Sequence, residues 1–186
     1  MNKNLKTVQT IFNVIRVLVI IGIVGTVIGI VGSSVGLLAW LIFGKAVLES
    51  GFISDVISEV PGAVLNDGFI TAALVCAILS TVAALLELLF VKDYLTLEQS
   101  EGTPFTHKGA DKLFRLGIVS IVIPVALSIA IGVSISIIGL FTSVGSAELI
   151  ETEASIGYGL LMMALSVVFR YGADLEGGSE DQSDIS

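Results

Sequence analysis

The sequence contains one cysteine, one histidine and few charged residues. Cys76 alone cannot form an internal disulfide or a cysteine-rich metal site, and His107 alone excludes a multi-histidine metal centre. Charged residues make up 14% of the 186 residues, whereas an ordinary soluble domain contains about 25%. The net charge of −8 has the wrong sign for a general nucleic-acid binder. These features argue against a cysteine-rich or multi-histidine metal site, a general nucleic-acid binder and a water-soluble globule.

Apolar residues dominate what remains. Hydrophobic residues make up 54% of the chain, and the mean hydropathy is +0.99. Transmembrane spans are predicted at about residues 10–43, 68–91, 112–142 and 154–174. Helices are expected because an open sheet would leave backbone groups unpaired in lipid. The predicted fold is an all-α integral membrane four-helix bundle, forming one domain over residues 1–176.

Lysine and arginine are concentrated on one side of these spans. That side carries Lys3, Lys6, Arg16, Lys92, Lys108, Lys112, Arg115 and Arg170, whereas the other side carries Lys45 and a majority of acidic residues. Cations are enriched in cytoplasmic loops of membrane proteins. Both termini are therefore predicted to be cytoplasmic.

Small residues form two stripes that predict close helix packing. Gly22, Gly25, Gly29, Gly32 and Gly36 are spaced three and four residues apart, so they share one face of the first span. The third span carries glycine, serine and proline mostly four residues apart, including Gly132 and Gly139. Glycine at this spacing allows helix backbones to approach closely in lipid. The two faces are predicted to pack together, or against copies of the chain in a homo-oligomer; a pore lined by the serines is the alternative.

Glu87 is the one acidic residue placed inside a predicted span, near its end at Lys92. A carboxylate inside the membrane is costly and often functional. Arg170 lies at a comparable depth on the fourth span, so an ion pair between Glu87 and Arg170 is one prediction. The equal alternative is that both side chains reach out to the headgroups.

Three segments outside the spans have predictable structure. Apolar residues at helical spacing between residues 52 and 60 predict a short extracytoplasmic amphipathic helix. Thr106 is expected to cap the helix that becomes the third span, and Lys108, Lys112 and Arg115 then form one basic stripe. Anionic headgroups explain this stripe, and a cytoplasmic protein contact is the alternative. Residues 177–186 are predicted to form a disordered acidic cytoplasmic tail.

Two segments resemble a known family. Thr103-Pro104-Phe105-Thr106, with the following Ala110, Leu113, Arg115 and Gly117, is similar to a motif of the YoaS-like bacterial four-pass membrane proteins, which are classed as a domain of unknown function. The segment from Val168 to Leu175 resembles the ending of the same family. The resemblance implies a location in the bacterial plasma membrane and a cytoplasmic partner, a helix-turn-helix regulator encoded nearby. It implies no established activity.

The sequence leaves two hypotheses for the function. The first is a non-enzymatic regulatory or tethering partner of a cytoplasmic helix-turn-helix regulator, and the second is a small transporter or channel subunit. An enzyme is disfavoured, because Gly32-Ser33-Ser34-Val35-Gly36 matches the nucleophile-elbow pattern without the strand–turn–helix context or a nearby histidine. The lipid bilayer is the expected surrounding, and no cofactor, metal or direct nucleic-acid contact is expected.

Overall fold

Four long helices make up most of the part of the chain that the structure describes. The computed structural model describes residues 3–44, 46, 67–101, 106–142 and 156–183, with side chains for all of these except residues 3–9, 101 and 176–183. The helices are α1 (Lys3–Phe43), α2 (Asp67–Glu101), α3 (His107–Phe141) and α4 (Ile156–Ser183). The described residues contain no strand, which confirms the predicted all-helical class. The predicted amphipathic helix at residues 52–60 lies outside the described residues.

Each helix is long and apolar enough to cross a membrane. The apolar spans are Thr10–Phe43, Asp67–Ser100, His107–Phe141 and Ile156–Leu175. The second extends well past the predicted end at residue 91, because the sequence from Phe69 to Glu101 contains neither glycine nor proline. A helix of this length, at about 1.5 Å per residue, exceeds a hydrocarbon core of ~30 Å. Its far end therefore has room to carry polar residues.

Large apolar side chains are exposed along the spans. Ile28 on α1 is 66% exposed, Leu140 on α3 is 81% exposed and Val167 on α4 is 65% exposed. A soluble monomer rarely exposes apolar residues in long contiguous bands. Such surfaces suit hydrocarbon as the surrounding medium.

The chain divides into two compact units, whereas the sequence predicted one domain. The first unit consists of the described parts of residues 1–24, 85–124 and 154–186, and the second of the described parts of residues 25–84 and 125–153. In the second unit, Trp40 is 5% exposed and its indole N–H donates to Thr71 Oγ1 over 3.1 Å. This hydrogen bond joins α1 to α2 in a core that also contains Phe69, Ile70 and Cys76.

The α1 glycines pack against α2 rather than against the small-residue face of α3. In the first unit, a Cβ on Gly22 would lie 3.2 Å from Leu88 Cδ1. In the second unit, a Cβ on Gly29 would lie 3.2 Å from Thr81 Cγ2, and one on Gly36 would lie 3.5 Å from Leu74 Cδ2. In each unit taken by itself, the contacting glycines of α1 therefore face α2.

The other glycines predicted to pack have open surroundings. Among the described residues, nothing lies within 4 Å of a Cβ placed on Gly25, Gly32, Gly132 or Gly139. Gly25 and Gly32 alternate with the contacting positions, so they lie toward the edge of the α1–α2 seam. The prediction that the α1 and α3 glycines meet each other therefore differs from the contacts found.

The fourth helix also extends further than predicted. It continues to Ser183, although disorder was predicted from residue 177. Gly177 and Gly178 lower helix propensity by about 1 kcal/mol each relative to alanine, whereas proline would end the helix. No proline follows Ile156, so the chain offers no strong stop signal there.

Candidate functional site in the first unit

Polar side chains from all four helices gather in the first unit. We refer to them as the polar cluster: Asn13, Arg16, Asp93, Gln99, His107, Asp111, Lys112, Arg170 and Asp174. Each residue in it contacts a residue on a neighbouring helix. The cluster is thus a set of cross-links between helices, described below from α1 to α4.

One glutamine joins α1 to α2. Arg16 Nη1 donates to Gln99 Oε1 over 2.8 Å, and Gln99 Nε2 donates to Asn13 Oδ1 over 3.0 Å. Asn13 and Arg16 are three residues apart, so they share one face of α1. The side-chain amide supplies both an acceptor and a donor, which lets a single residue bind both partners.

A lysine joins α2 to α3. Lys112 Nζ lies 2.7 Å from Asp93 Oδ2 and also donates to the backbone carbonyl of Asp93 over 3.4 Å. The Lys112 side chain is 32% exposed, and the Asp93 side chain is 65% exposed. Lys112 therefore turns toward α2 and is half-buried, whereas Lys108 and Arg115 of the predicted basic stripe are exposed.

One ion pair and one histidine–aspartate contact join α3 to α4. Arg170 pairs with Asp111, and His107 Nε2 lies 3.4 Å from Asp174 Oδ1. The partners are one helical turn apart on each helix, in opposite chain order, as antiparallel helices require. Exposed pairs of this kind contribute at most about 1 kcal/mol each. Their main effect is to set the register of α4 on α3.

Arg170 therefore has a different partner from the predicted one. An ion pair with Glu87 was one of two equal predictions, the other being that both side chains reach the headgroups; the structure pairs Arg170 with Asp111. Asp111 lies on the helix that packs directly against α4, and the register of the two helices brings it opposite Arg170. Glu87 is half-buried, and within the described part of the chain it forms no hydrogen bond or ion pair.

A buried carboxylate beside the polar cluster escaped the sequence analysis. Glu98 is 6% exposed, and the Tyr94 hydroxyl one turn earlier donates a hydrogen bond to it. Leu95, on the same side of α2, is 4% exposed. The four-residue spacing of Tyr94 and Glu98 is visible in the sequence and places them on one face of α2. The burial of Glu98 depends on tertiary packing, which the spacing does not show.

Thr106 begins α3 as predicted. The Gly109 backbone N–H donates to Thr106 Oγ1 over 3.0 Å, which is the contact between an N-cap and the third helical residue. The Ala110 N–H donates to the Thr106 carbonyl over 2.9 Å. This cap fixes where the helix starts, and hence where His107 and Asp111 lie.

Removing the Thr106 cap is expected to destabilise the protein measurably. Thr106→Ala loses the side-chain acceptor and should lower the free energy of unfolding by about 1 kcal/mol. Thr106→Ser keeps a hydroxyl and is the matched control. Chemical denaturation in detergent, followed by circular dichroism, measures both. Equal stability of the alanine and serine variants would contradict a capping role.

Helices α3 and α4 also approach each other closely at two glycines, Gly117 and Gly159. A Cβ on Gly117 would lie 2.7 Å from the Gly159 carbonyl oxygen and 2.7 Å from Met163 Cγ. A Cβ on Gly159 would meet Ile121 and, at 2.7 Å, the Gly117 carbonyl oxygen. Gly159 was not among the predicted packing residues, because α4 carries no glycine stripe at the spacing used to find the others.

The serine hydroxyls of α3 offer little support for the alternative prediction of a pore lined by serines. Ser134 Oγ donates to the Ala130 carbonyl over 2.7 Å, and Ser136 Oγ donates to the Gly132 carbonyl over 2.8 Å. Both hydroxyl protons are thus used within their own helix. Hydroxyls engaged in this way are less suited to line a conducting pore.

The charged side chains of the polar cluster serve mainly as links between helices. The described residues contain no group of three or more histidine, cysteine, aspartate or glutamate residues placed to hold a metal ion. The charged groups of the polar cluster are largely engaged in cross-links between helices. Lys108 and Arg115 add exposed positive charge beside them.

Comparison with known proteins gives no match to a family model and no significant match to a curated protein or a solved structure. The resemblance to the YoaS-like family thus depends on the quoted motifs alone. Residues 103–105 of the first motif lie outside the described residues. Thr106, Ala110, Leu113 and Gly117 lie at the start of α3, where Ala110 and Leu113 are buried.

Proposed function

We propose that this chain is a non-enzymatic integral protein of the bacterial plasma membrane that holds a cytoplasmic helix-turn-helix regulator at the membrane surface. The observation that carries the proposal is the polar cluster, which links four apolar helices at the same end as exposed basic residues. Membership of the YoaS-like family is part of the proposal. The motifs quoted above support it.

The proposed orientation places the polar cluster in the cytoplasm. Arg16, Lys92, Lys108 and Arg115 lie at or near this end of their helices. Lysine and arginine favour the cytoplasmic side of bacterial membranes. Both termini are on that side because the number of spans is even.

Lys108 and Arg115 form the proposed contact surface, together with the end of α4. Both side chains are exposed on α3. Two exposed cations on one face of a capped helix suit an acidic patch on a partner. The cross-links between helices would limit the reorganisation that binding requires.

Co-purification from native membranes tests this proposal. Wild-type chain extracted in mild detergent is expected to carry a helix-turn-helix protein identifiable by mass spectrometry. The double variant Lys108→Glu, Arg115→Glu should reduce its recovery at least tenfold, since tenfold corresponds to about 1.4 kcal/mol. Lys92→Glu reverses an exposed charge on α2 and should leave recovery unchanged.

Two results would count against the proposal. The first is native membranes that yield no helix-turn-helix protein with the wild-type chain. The second is equal recovery with all variants, since the contact would then lie elsewhere. Substrate or ion flux in liposomes containing only this chain would favour a transporter or channel subunit, and Glu87→Gln would then show whether the carboxylate takes part.

A further inference from the structure

A crevice lies between α3 and α4, beside the polar cluster. Its volume is about 200 Å³, and its lining comprises Phe114, Ser166, Val167 and Arg170. All four residues belong to the first unit. Arg170 also belongs to the polar cluster, whereas Phe114, Ser166 and Val167 do not.

The crevice lies along the seam between α3 and α4. The two helices approach closely at Gly117 and Gly159, since a Cβ on Gly117 would lie 2.7 Å from the Gly159 carbonyl oxygen. Asp111 and Arg170 pair across the same seam. Along both helices, Phe114 and Val167 lie between these two levels.

The walls combine exposed apolar surface with one guanidinium. Phe114 is 43% exposed and Val167 is 65% exposed, and both lie on helices apolar enough to span a membrane. Ser166 is 4% exposed and donates its hydroxyl to the Met163 carbonyl over 2.6 Å. Arg170, a member of the polar cluster, completes the lining. The crevice therefore combines apolar side chains with one guanidinium.

Arg170 has donors suited to a phosphate group. A guanidinium carries five N–H donors in a planar fork, and its contact with Asp111 is made through Nη2. Arginine binds phosphate oxygens through paired hydrogen bonds. Arg170 lies about one turn inside the end of the span at Leu175, near the depth of lipid headgroups. Its charge and its depth both match the phosphate of a membrane lipid.

We infer that this crevice binds one bilayer phospholipid, with the lipid phosphate on Arg170 and the start of an acyl chain along Phe114 and Val167. The bilayer itself supplies the ligand. The site does not depend on a protein partner, so its failure and the failure of the proposed tethering function are distinguishable.

Native mass spectrometry of the purified full chain tests the inference. Detergent-solubilised protein is mixed with dioleoyl phosphatidylglycerol, dioleoyl phosphatidylethanolamine or dioleoylglycerol, which lacks phosphate. The two phospholipids are expected to give a retained one-to-one complex, and dioleoylglycerol is expected to be retained at least tenfold less. An excess of inorganic phosphate should not displace the lipid, because the acyl chain contributes to binding.

Two substitutions and one control assign the complex to the crevice. Arg170→Gln should reduce phospholipid retention at least tenfold, and Val167→Phe should do so by filling the crevice without removing the charge. Arg115→Gln, which removes an exposed arginine on α3 outside the crevice, should retain the lipid as the wild type does. Circular dichroism and gel filtration establish that each variant is folded.

Several results would overturn the inference. Equal loss in Arg170→Gln and Arg115→Gln would indicate general surface charge, and equal retention of dioleoylglycerol would remove the role of the phosphate. Retention unchanged in both Arg170→Gln and Val167→Phe would place the lipid elsewhere. Displacement by inorganic phosphate would indicate an anion site without an acyl-chain contact.

Discussion

Replacing Gly117 with leucine is expected to force α3 away from α4 and to lower the free energy of unfolding by about 3 kcal/mol, the upper part of the range for overpacked sites. Even a Cβ at this position would lie 2.7 Å from the Gly159 carbonyl oxygen and 3.0 Å from the Met163 backbone nitrogen. These are backbone atoms of a regular helix, so they cannot rotate away as a side chain can. Relief requires movement of the whole helix.

Gly132→Leu is the matched control on the same helix. Among the described residues, nothing lies within 4 Å of a Cβ on Gly132, and the residue is exposed. Leucine there gains helix propensity and faces lipid. Thermal unfolding in detergent should show a midpoint lower by about 6–12 °C for Gly117→Leu, at about 2–4 °C per kcal/mol, and little change for Gly132→Leu. Equal midpoints would mean that the two glycines do not pack as found.

The helices were the part of this fold most accessible from sequence. Long uncharged runs have one stable backbone solution in lipid, and that solution does not depend on neighbouring elements. Local signals also located the start of α3, because an N-cap is a contact within four residues of sequence and Thr106 makes it. The end of α4 was less accessible, since Gly177 and Gly178 weaken a helix without ending it.

The residues that contact each other between helices could not be predicted from local sequence patterns. A glycine stripe indicates that something approaches closely, but it does not name the neighbour. Gly22 and Gly36 contact α2 at Leu88 and Leu74, which are not small, and Gly29 contacts Thr81. A glycine can accept a large side chain as readily as another glycine, so matching small faces on α1 and α3 was not the only solution.

The contacts within the polar cluster were equally hard to predict from sequence. Sequence located its charges near the ends of the spans but not the register of the antiparallel helices. Arg170 was paired with Glu87 on the basis of depth, whereas Asp111 lies opposite it on the adjacent helix. Asp111 and Asp174 appeared in sequence as ordinary polar residues at helix ends. Their pairing with Arg170 and His107 depends on one register that no local pattern encodes.

Leu165→Arg is expected to prevent insertion of α4 and to move the C-terminus across the membrane. The span Ile156–Leu175 is the shortest and least apolar of the four, and Leu165 lies near its middle with 37% of its side chain exposed. Arginine at a span centre costs about 2.5–3.5 kcal/mol, and the loss of leucine adds about 0.5 kcal/mol. The insertion equilibrium should therefore shift about 100-fold or more. With three spans left, a C-terminal alkaline phosphatase fusion, inactive in the wild type, should become active.

Leu175→Arg controls for the added charge. Leu175 is the last residue of the same span and is 59% exposed, so its guanidinium can reach the headgroups at little cost. The phosphatase fusion should stay inactive in this variant. Activity in the wild type would reverse the proposed orientation, because an even number of spans places both termini on the same side. Inactivity in Leu165→Arg would mean that contacts with α3, centred on Gly117 and Gly159, hold α4 in place against the cost of the charge.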